Sequence, residues 1–399
     1  MGMSGLPLSG IRVVELGAFI AGPYCGQLLA DFGADVIKVE PPGAGDPMRQ
    51  WGLHKLEGQS LWWPVIGRNK RTVTLDLRLK KGQELARKLI YVSDVLVENF
   101  RPGTLESWEL NPQQLCAESP NLVVARISGF GQTGPYRERA GFAAVCEAMA
   151  GLRSLTGYPD RPPTRVGISI GDSLAGLFAA FGVLTALYAR GRGKGQIVDV
   201  SITESVLAVL ESVISEYSVT GHIRERFGPV LPGVAPSNLY PTADGSWVMI
   251  AANADGLFRR LTKTMNRPEL AQDVRFATHE ARGAHQEELD QIVSAWTQSQ
   301  MRGALLDLLH AQAIPAGAVY DAADIAHDPH YRDREALIDI QTEAFGKVTM
   351  QGVVPKLSET PGSVRWSGPK VGEHNREVFQ GLLGLSETEL ATLVAEHVV

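Results

Sequence analysis

One carboxylate stands in the sequence where it could carry out chemistry. Asp172 follows a β-branched segment and precedes a long apolar stretch, within "GISIGDSLAGLF" (167–178). This pattern predicts a strand, a turn and a helix, with Asp172 at or next to the helix N-cap. Aspartate often occupies such a position simply to cap the helix, which stabilises it by about 1 kcal/mol.

The same position also suits nucleophilic catalysis. A helix N-terminus carries a partial positive charge and free amides, and both favour the ionised form of a carboxyl group. An ionised carboxylate attacks acyl groups, and the same amides could stabilise the oxyanion that forms. Gly171 and Gly176 would let a ligand approach the backbone closely. Capping and catalysis both remain open on spacing alone.

Two other segments carry groups suited to an anionic, partly aromatic ligand. They are "NKRTVTLDLR" (69–78) and "ENFRPGTLESW" (98–108), each at the end of a predicted strand. Guanidinium groups bind phosphate, and apolar side chains can flank an adenine. Equally, charged strand ends often only face water. The candidate residues are Arg71, Leu75, Arg78, Asn99, Phe100 and Arg101.

The elements that must position these groups alternate in type. Apolar, β-branched segments alternate with segments of helical spacing, which predicts parallel strands and an open, doubly wound α/β sheet. The predicted strands are 11–16, 35–40, 71–77, 94–99, 121–128 and 197–202, and the predicted helices are 22–34, 81–93, 141–152, 173–190 and 203–217.

The composition changes after residue 220. The segment 224–241 is rich in Pro and Gly and predicts irregular structure. A turn at 243–245, a strand and short amphipathic helices over 255–312 follow. We therefore expect a large α/β domain formed by residues 1–220 and 330–399, and a smaller α+β domain over 225–329.

Sequence features argue against several classes of protein. The first loop, "GAFIAGP" (17–23), lacks the G-x-G-x-x-G spacing, and "GRGKGQ" (191–196) is not a P-loop. The net charge of −6 disfavours nucleic-acid binding. Three widely spaced cysteines and the lack of a signal peptide favour a cytoplasmic protein with reduced thiols, no metal and no membrane anchor.

Taken together, the motifs resemble the class III coenzyme A transferases, the CaiB/BaiF-type family of formyl-CoA transferase and carnitine CoA-transferase. The likeness extends over nearly the whole chain. It rests on "LGAFIAGPYCGQLLADFGADVIKVEPPGAGDPMR" (16–49), "NKRTVTLDL" (69–77), "VENFRPGTLE" (97–106), "GISIGDS" (167–173), "GRGKGQIVDVSITES" (191–205) and "GEHNREV" (372–378).

The resemblance implies a Rossmann-like large domain, a smaller domain and an interlocked homodimer. It implies coenzyme A or acyl-CoA as a substrate, with no tightly bound cofactor. The family's catalytic aspartate falls on Asp172. Its coenzyme A contacts fall on Ile20, Ala21, the segment 75–78, Asn99, Phe100 and Arg101.

The chain departs from formyl-CoA transferase at several positions. Pro41, Ser107 and about Ala140 stand where that enzyme has arginine, arginine and lysine. Arg71, Arg78 and Arg101 are then the candidates for phosphate binding. The glycine-rich loop of that enzyme is replaced by 227–238, which could act as a lid. Glu147, Arg224 and Arg226 are further candidates for contacts with the acid substrate.

The implied reaction passes through an aspartyl anhydride and an aspartyl-CoA thioester at Asp172. The segment 140–173 resembles family members that use succinyl-CoA with dicarboxylic or hydroxy-dicarboxylic acceptors. Formyl-CoA or acetyl-CoA with oxalate is an alternative. A 2-methylacyl-CoA racemase is disfavoured, because its "GHD" triplet is Gly141-Phe142-Ala143 here. A non-catalytic CoA-binding subunit is a further alternative.

Overall fold

The computed structural model describes residues 5–399 and contains a six-stranded parallel sheet. Its strands run in the order β5-β2-β1-β6-β7-β8, which is the doubly wound order. The strands of the chain are β1 (Arg12–Glu15), β2 (Asp35–Glu40), β3 (Lys55–Leu56), β4 (Gln59–Ser60), β5 (Lys70–Thr74), β6 (Val95–Glu98), β7 (Val123–Ser128), β8 (Ile197–Ser201), β9 (Ser237–Pro241), β10 (Trp247–Ala251), β11 (Ala316–Ala318), β12 (Leu337–Thr342) and β13 (Gly346–Gln351).

Helices cover both faces of this sheet, so the prediction of a doubly wound α/β sheet is confirmed. The helices are α1 (Ala21–Asp31), α2 (Trp63–Ile66), α3 (Lys80–Tyr91), α4 (Thr104–Ser107), α5 (Pro112–Glu118), α6 (Ala143–Met149), α7 (Leu152–Leu155), α8 (Ile170–Arg190), α9 (Ile202–Leu207), α10 (Val213–Thr220), α11 (Asp255–Thr264), α12 (His279–Ala284), α13 (Gln286–Thr297), α14 (Arg302–Ala311), α15 (Ala322–His327), α16 (Pro329–Asp333) and α17 (Glu387–Ala395). Short 3₁₀ turns lie at Pro47–Gln50 and Pro268–Ala271, and a π-helical turn at Glu377–Leu382.

The two faces of the sheet bury different residues because side chains alternate along each strand. Val13 and Val95 pack with α1 and α8 in one apolar core. Val14 and Leu96, their neighbours in sequence, pack with α3 and the C-terminal helix α17 in the other. The parallel register pairs Val13 with both Val36 and Val95.

The described chain clusters into two compact units. One comprises 5–152, 166–214 and 329–399, and holds the six-stranded sheet and the β12–β13 hairpin. The other comprises 153–165 and 215–328. It has a three-stranded antiparallel sheet, β11-β10-β9, and its own core around Tyr240, Phe258 and Phe276.

Three local predictions are wrong. Residues 164–169 form no strand before Asp172. The helix predicted over 203–217 is broken into α9 and α10, and Glu211, which lies between them, takes a left-handed φ of 53°. The Pro/Gly-rich segment ends in the strand β9, because pairing with β10 across the turn at 243–245 outweighs local composition.

The helix α8 has the length and apolar composition of a membrane span. In this fold it connects the parallel strands β7 and β8. It packs against α1, α9 and both of those strands. The sheet's core therefore explains the apolar residues on one side of α8, whereas Leu177, Phe181, Leu184 and Tyr188 on the other side are exposed.

Candidate active site

The order of the strands defines a crevice where a ligand can bind. The chain winds one way from β1 through β2 to β5 and the other way from β6 onward, so the loops after β1 and β6 diverge. In doubly wound sheets ligands bind at this point, at the carboxyl ends of the strands. The predicted residues Ile20 and Ala21 follow β1, and Asn99, Phe100 and Arg101 follow β6.

Asn99 joins these two loops directly. Its Oδ1 accepts a hydrogen bond from the N–H of Ala18 at 2.8 Å, and its Nδ2 donates to the carbonyl of Ala18 at 2.8 Å. Gly17 makes room for the amide, because a Cβ there would lie 2.6 Å from Asn99 Oδ1. The structure therefore brings Asn99 together with the loop that leads to Ile20 and Ala21.

The remaining residues of this crevice differ in exposure. Ile20 and Ala21 are buried at the start of α1, so they could bind a ligand only through their backbone groups. Phe100 is half-buried and packs edge-on against Trp108 at 5.0 Å between ring centroids. Its N–H donates to Glu98 Oε2 at 2.8 Å, which fixes the start of the loop. Arg101 is exposed.

The candidates around β5 lie at opposite ends of that strand. Leu75 is buried just after the carboxyl end, and Arg78 is exposed and paired with Asp76 at 2.6 Å. Arg71 lies near the amino end, where it pairs with Asp35 at 2.6 Å and with Glu377 at 2.9 Å. It lines a cavity of about 1210 Å³ at that edge of the sheet. The structure thus does not bring Arg71 together with the other candidates.

Asp172 is the third residue of α8 and is half-buried. The preceding residue, Gly171, donates its N–H to Glu147 Oε1 at 3.2 Å. Glu147 lies on α6 and is only 1% exposed. Burial, and then the charge of Glu147, raise the pKa of Asp172 to about 6.

This direction of shift corrects the expectation that the helix end would favour the ionised form. Burial and a like charge both disfavour the ionised form of a carboxyl group. A group with a pKa near 6 is still about 90% ionised at pH 7. Asp172 can therefore act as a nucleophile at neutral pH, and it is more basic than an ordinary aspartate.

Close contact between two helices links Asp172 to the crevice. One turn beyond Asp172, a Cβ on Gly176 would lie 2.7 Å from the carbonyl oxygen of Ala21. Only glycine allows α8 to approach the first residue of α1 so closely. The first turn of α8 is thereby held beside the loop that follows β1.

A cluster of aromatic residues at this edge was missed by the sequence analysis. Phe19 packs edge-on against Trp51 at 5.5 Å and against Phe142 at 6.1 Å, and Trp51 against Trp62 at 6.2 Å. Phe142 caps α6, the helix that carries Glu147. Trp51, Trp62 and Phe142 are at least 40% exposed. Large apolar rings outside any periodic element are the signal that could have identified this surface.

A buried group of charged side chains, centred on Lys38, holds the loop after β1 in place. Lys38 donates to the carbonyl of Gly17 at 2.6 Å and pairs with Glu15 at 3.0 Å and Asp46 at 2.8 Å. Asp46 accepts the N–H of Phe19 at 3.3 Å. Burial alone would lower the pKa of Lys38, but the carboxylates of Asp46 and Glu15 outweigh it and raise that pKa.

The other two predicted substrate residues lie in the second compact unit. Arg224 pairs with Glu216. Arg226 donates to the carbonyls of Ser154 at 3.2 Å, Tyr158 at 3.3 Å and Arg161 at 3.3 Å. The residues 227–236 are irregular, as predicted.

A doubly wound sheet with a partly buried aspartate beside its crevice defines an α/β enzyme suited to acyl transfer. The model of CoA-transferase family III matches residues 8–375, and the chain belongs to this family. It is a class III CoA-transferase, as its resemblance had indicated.

Named relatives cover nearly all of the chain. Succinyl-CoA–D-citramalate CoA-transferase of Chloroflexus aurantiacus is 58% identical over 98% of this chain and 98% of its own. The succinyl-CoA–L-malate CoA-transferase beta subunit of the same species is 42% identical over 99% and 98%. A crystal structure of a CaiB/BaiF family protein from Brucella suis has a TM-score of 0.85 and 36% identity over 95% of this chain and 100% of its own.

Replacing Asn99 by Ala tests the crevice. We expect the KM for the acyl-CoA to rise about tenfold, because two hydrogen bonds that fix the loop after β1 are lost and each contributes about 1 kcal/mol. Steady-state kinetics with the acyl-CoA varied measure this effect. The matched control is Asn111→Ala, which removes the N-cap of α5, a helix packed on β7 and β8. A KM unchanged in the Asn99 variant would show that this loop does not bind coenzyme A.

Proposed function

We propose that this enzyme transfers CoA from succinyl-CoA to a hydroxy-dicarboxylic acid, with D-citramalate as the preferred acceptor, and that Asp172 carries the covalent intermediates. The named relatives, led by the one at 58% identity, support the choice of substrates. The position of Asp172 in the first turn of α8, beside the crevice and with a pKa of about 6, is the observation that carries the mechanism.

The reaction proceeds by four acyl transfers. The carboxylate of Asp172 attacks the thioester carbonyl of succinyl-CoA, which gives a mixed anhydride and free CoA thiolate. The thiolate attacks the aspartyl carbonyl of the anhydride, releases succinate and leaves an aspartyl-CoA thioester. The acceptor carboxylate attacks the aspartyl carbonyl of this thioester, which forms a second mixed anhydride, between Asp172 and the acceptor, and again frees the thiolate. The thiolate then attacks the acceptor's carbonyl, which forms the new acyl-CoA and regenerates the Asp172 carboxylate.

In this proposal the crevice residues hold the coenzyme and keep water away. Backbone groups around Ile20, Ala21, Leu75 and Asn99 contact the adenosine end. Arg101, which is exposed, and Arg78, which would have to leave Asp76, are the cations that bind the phosphates. The proposed site omits Arg71. The rings of Phe19, Trp51, Trp62 and Phe142 form an apolar wall that shields the anhydride from hydrolysis.

A matrix of donors and acceptors tests the substrates. Succinyl-CoA, acetyl-CoA and formyl-CoA are each incubated with D-citramalate, L-malate, glutarate, mesaconate and oxalate, and the CoA products are separated by chromatography. We expect succinyl-CoA with D-citramalate to give the highest kcat/KM. Highest turnover with oxalate would contradict the proposal. Transfer by the purified chain alone would exclude the non-catalytic subunit.

We also propose that two copies of the chain form the interlocked homodimer that the family resemblance implies. One side of α8 exposes Leu177, Phe181, Leu184 and Tyr188, which recur at helical spacing and are 43–71% exposed. Such an apolar stripe is typical of a protein interface. Light scattering coupled to size-exclusion chromatography should give twice the 43.1 kDa mass of the chain, and a monomer at micromolar concentration would contradict the proposal.

A further inference from the structure

The loop 99–103, which joins β6 to α4, is held at both ends by one buried arginine. Arg126 lies on β7. Its Nε donates to Glu98 Oε1 at 2.8 Å, at the residue before the loop. Its two terminal nitrogens donate to the carboxylate of Glu106, on α4 after the loop, at 2.9 Å and 3.3 Å. One guanidinium group therefore connects the residues that precede and follow this loop.

The sheet and the chemistry of arginine together explain this arrangement. The parallel register places Arg126 directly beside Glu98, the last residue of β6. The second carboxylate oxygen of Glu98 accepts the N–H of Phe100 at 2.8 Å, so the ion pair continues into the backbone of the loop. A guanidinium group presents its donors in a rigid, planar fork and can bind two carboxylates at once, which a lysine ammonium cannot do with the same geometry.

We propose that Arg126 is a positioning residue, which holds the loop 99–103 ready for coenzyme A by joining Glu98 to Glu106. The inference rests on the proposed binding of coenzyme A at this loop. A loop that is already fixed before the ligand arrives loses less conformational freedom on binding, so the ligand binds more tightly. Arg126 acts on the coenzyme only through the loop, because its nitrogens donate to the two carboxylates.

The contact from Arg126 complements the one made by Asn99. In the sheet β6 lies between β1 and β7. Asn99 connects the loop to the β1 side through its two hydrogen bonds with Ala18, and Arg126 connects it to the β7 side. The ring of Phe100 packs on Trp108, which directly follows α4, so the loop is also in contact with its own helix. The loop is thus supported from both neighbouring strands of the crevice.

The ionisation of Glu98 sets the pH at which the inference is tested. Burial raises the pKa of Glu98 to about 7, whereas Arg126 and the N–H of Phe100 act in the opposite direction. At pH 8 about nine in ten of the Glu98 side chains are therefore ionised. Kinetic measurements at pH 8 thus examine the ion pair in its charged form.

Arg126→Lys tests the role of Arg126. The variant keeps a buried positive charge but cannot hold both carboxylates in the same geometry. We expect the KM for acyl-CoA to rise about tenfold while kcat stays within about twofold of the wild type, because the lost interaction serves ground state and transition state alike. A purely structural role would give a different result: a less stable enzyme has fewer folded molecules, which lowers kcat and leaves KM unchanged.

Glu106→Gln is the second variant, and it decides the question should the lysine variant not fold. Glu106 is half-buried, and the change removes its charge and one of its two acceptor oxygens for Arg126. We expect the KM for acyl-CoA to rise about threefold, with kcat unchanged. The matched control is Glu109→Gln, an exposed glutamate three residues further on that pairs with Lys80. This control should leave both KM and kcat as in the wild type.

The inference is overturned if the folded Arg126 and Glu106 variants keep the KM of the wild type, whether or not kcat falls. That outcome differs from a failure of the proposed function. If the wild type transfers no CoA, or if Asn99→Ala leaves the KM for acyl-CoA unchanged, the proposed activity or its coenzyme crevice is wrong and the inference is wrong with it. If the wild type is active and Asn99→Ala raises KM, the Arg126 and Glu106 variants decide the role of Arg126 alone.

Discussion

Asp172→Ala is expected to lower CoA transfer by about 10⁴-fold or more, the loss typical of a missing nucleophile. Without the carboxylate neither the anhydride nor the thioester can form, and the apolar wall and crevice can only bind the substrates. Discontinuous assays of new acyl-CoA at saturating succinyl-CoA measure the loss. Acyl-CoA binding, followed by calorimetry, should stay within about threefold of the wild type.

The stability of the matched variant Asp172→Asn distinguishes loss of chemistry from loss of fold. The folded-state pKa of Asp172 is about 6, above its ordinary value of 3.8, so ionisation in the folded state is disfavoured. The stability contribution of the neutral form is therefore fully present below pH 4 and is lost as pH rises through 6. Asn cannot ionise, so the variant should be more stable than the wild type by up to about 3 kcal/mol at pH 8, with no difference at pH 4. Urea unfolding at both pH values measures this, and a variant destabilised at pH 8 would show that the carboxylate is held by favourable contacts.

Lys38→Met should destabilise the protein by about 3–5 kcal/mol, because it leaves the buried carboxylate of Asp46 without its cation and Glu15 with Lys70 alone. Lys38 is 1% exposed and pairs with Glu15 and Asp46 beneath the loop that follows β1. The bond to the Gly17 carbonyl is lost as well, so the loop loses a support and the KM for acyl-CoA should rise. Chemical unfolding and steady-state kinetics measure the two effects.

Lys370→Met is the matched control for this prediction. Lys370 pairs with Glu343 at 2.7 Å, but its side chain is 69% exposed. Exposed pairs contribute only about 0–1 kcal/mol. A Lys38 variant that is no less stable than the Lys370 variant would show that the buried group of charges does not hold the loop.

Much of the fold could be predicted because the pattern of the large sheet is locally encoded. The strand predicted at 35–40 is observed as Asp35–Glu40. Val13 and Val14 are buried on opposite faces of the sheet, as expected for a strand that is covered on both sides. Local composition gave the wrong secondary structure where contacts between distant residues determine it. The segment that becomes β9 has the composition of a loop, and only its pairing with β10 makes it a strand.

The candidate site divides in the same way. Asp172 and Asn99 could be found from their positions at helix and strand ends, and the family resemblance pointed to both. Arg71 is the first residue of the predicted strand 71–77 and the second residue of the observed β5, so both place it at the amino end of the strand, away from Leu75 and Arg78. The proximity of Glu147 to Gly171, and of Phe19 to Phe142, joins residues 24 and more than 100 positions apart, which no spacing in the sequence records.

The central claim is that one carboxylate carries the acyl group and then CoA, and trapping that adduct tests it most directly. The wild type is mixed with succinyl-CoA, quenched in acid during turnover, digested with trypsin and analysed by mass spectrometry. The expected fragment, 166–190, contains Asp172 as its sole carboxylate side chain, so an adduct on it is localised without ambiguity. We predict a CoA thioester on this fragment that is absent from Asp172→Asn. An unmodified fragment under active turnover, or an adduct on a different peptide, would contradict the account.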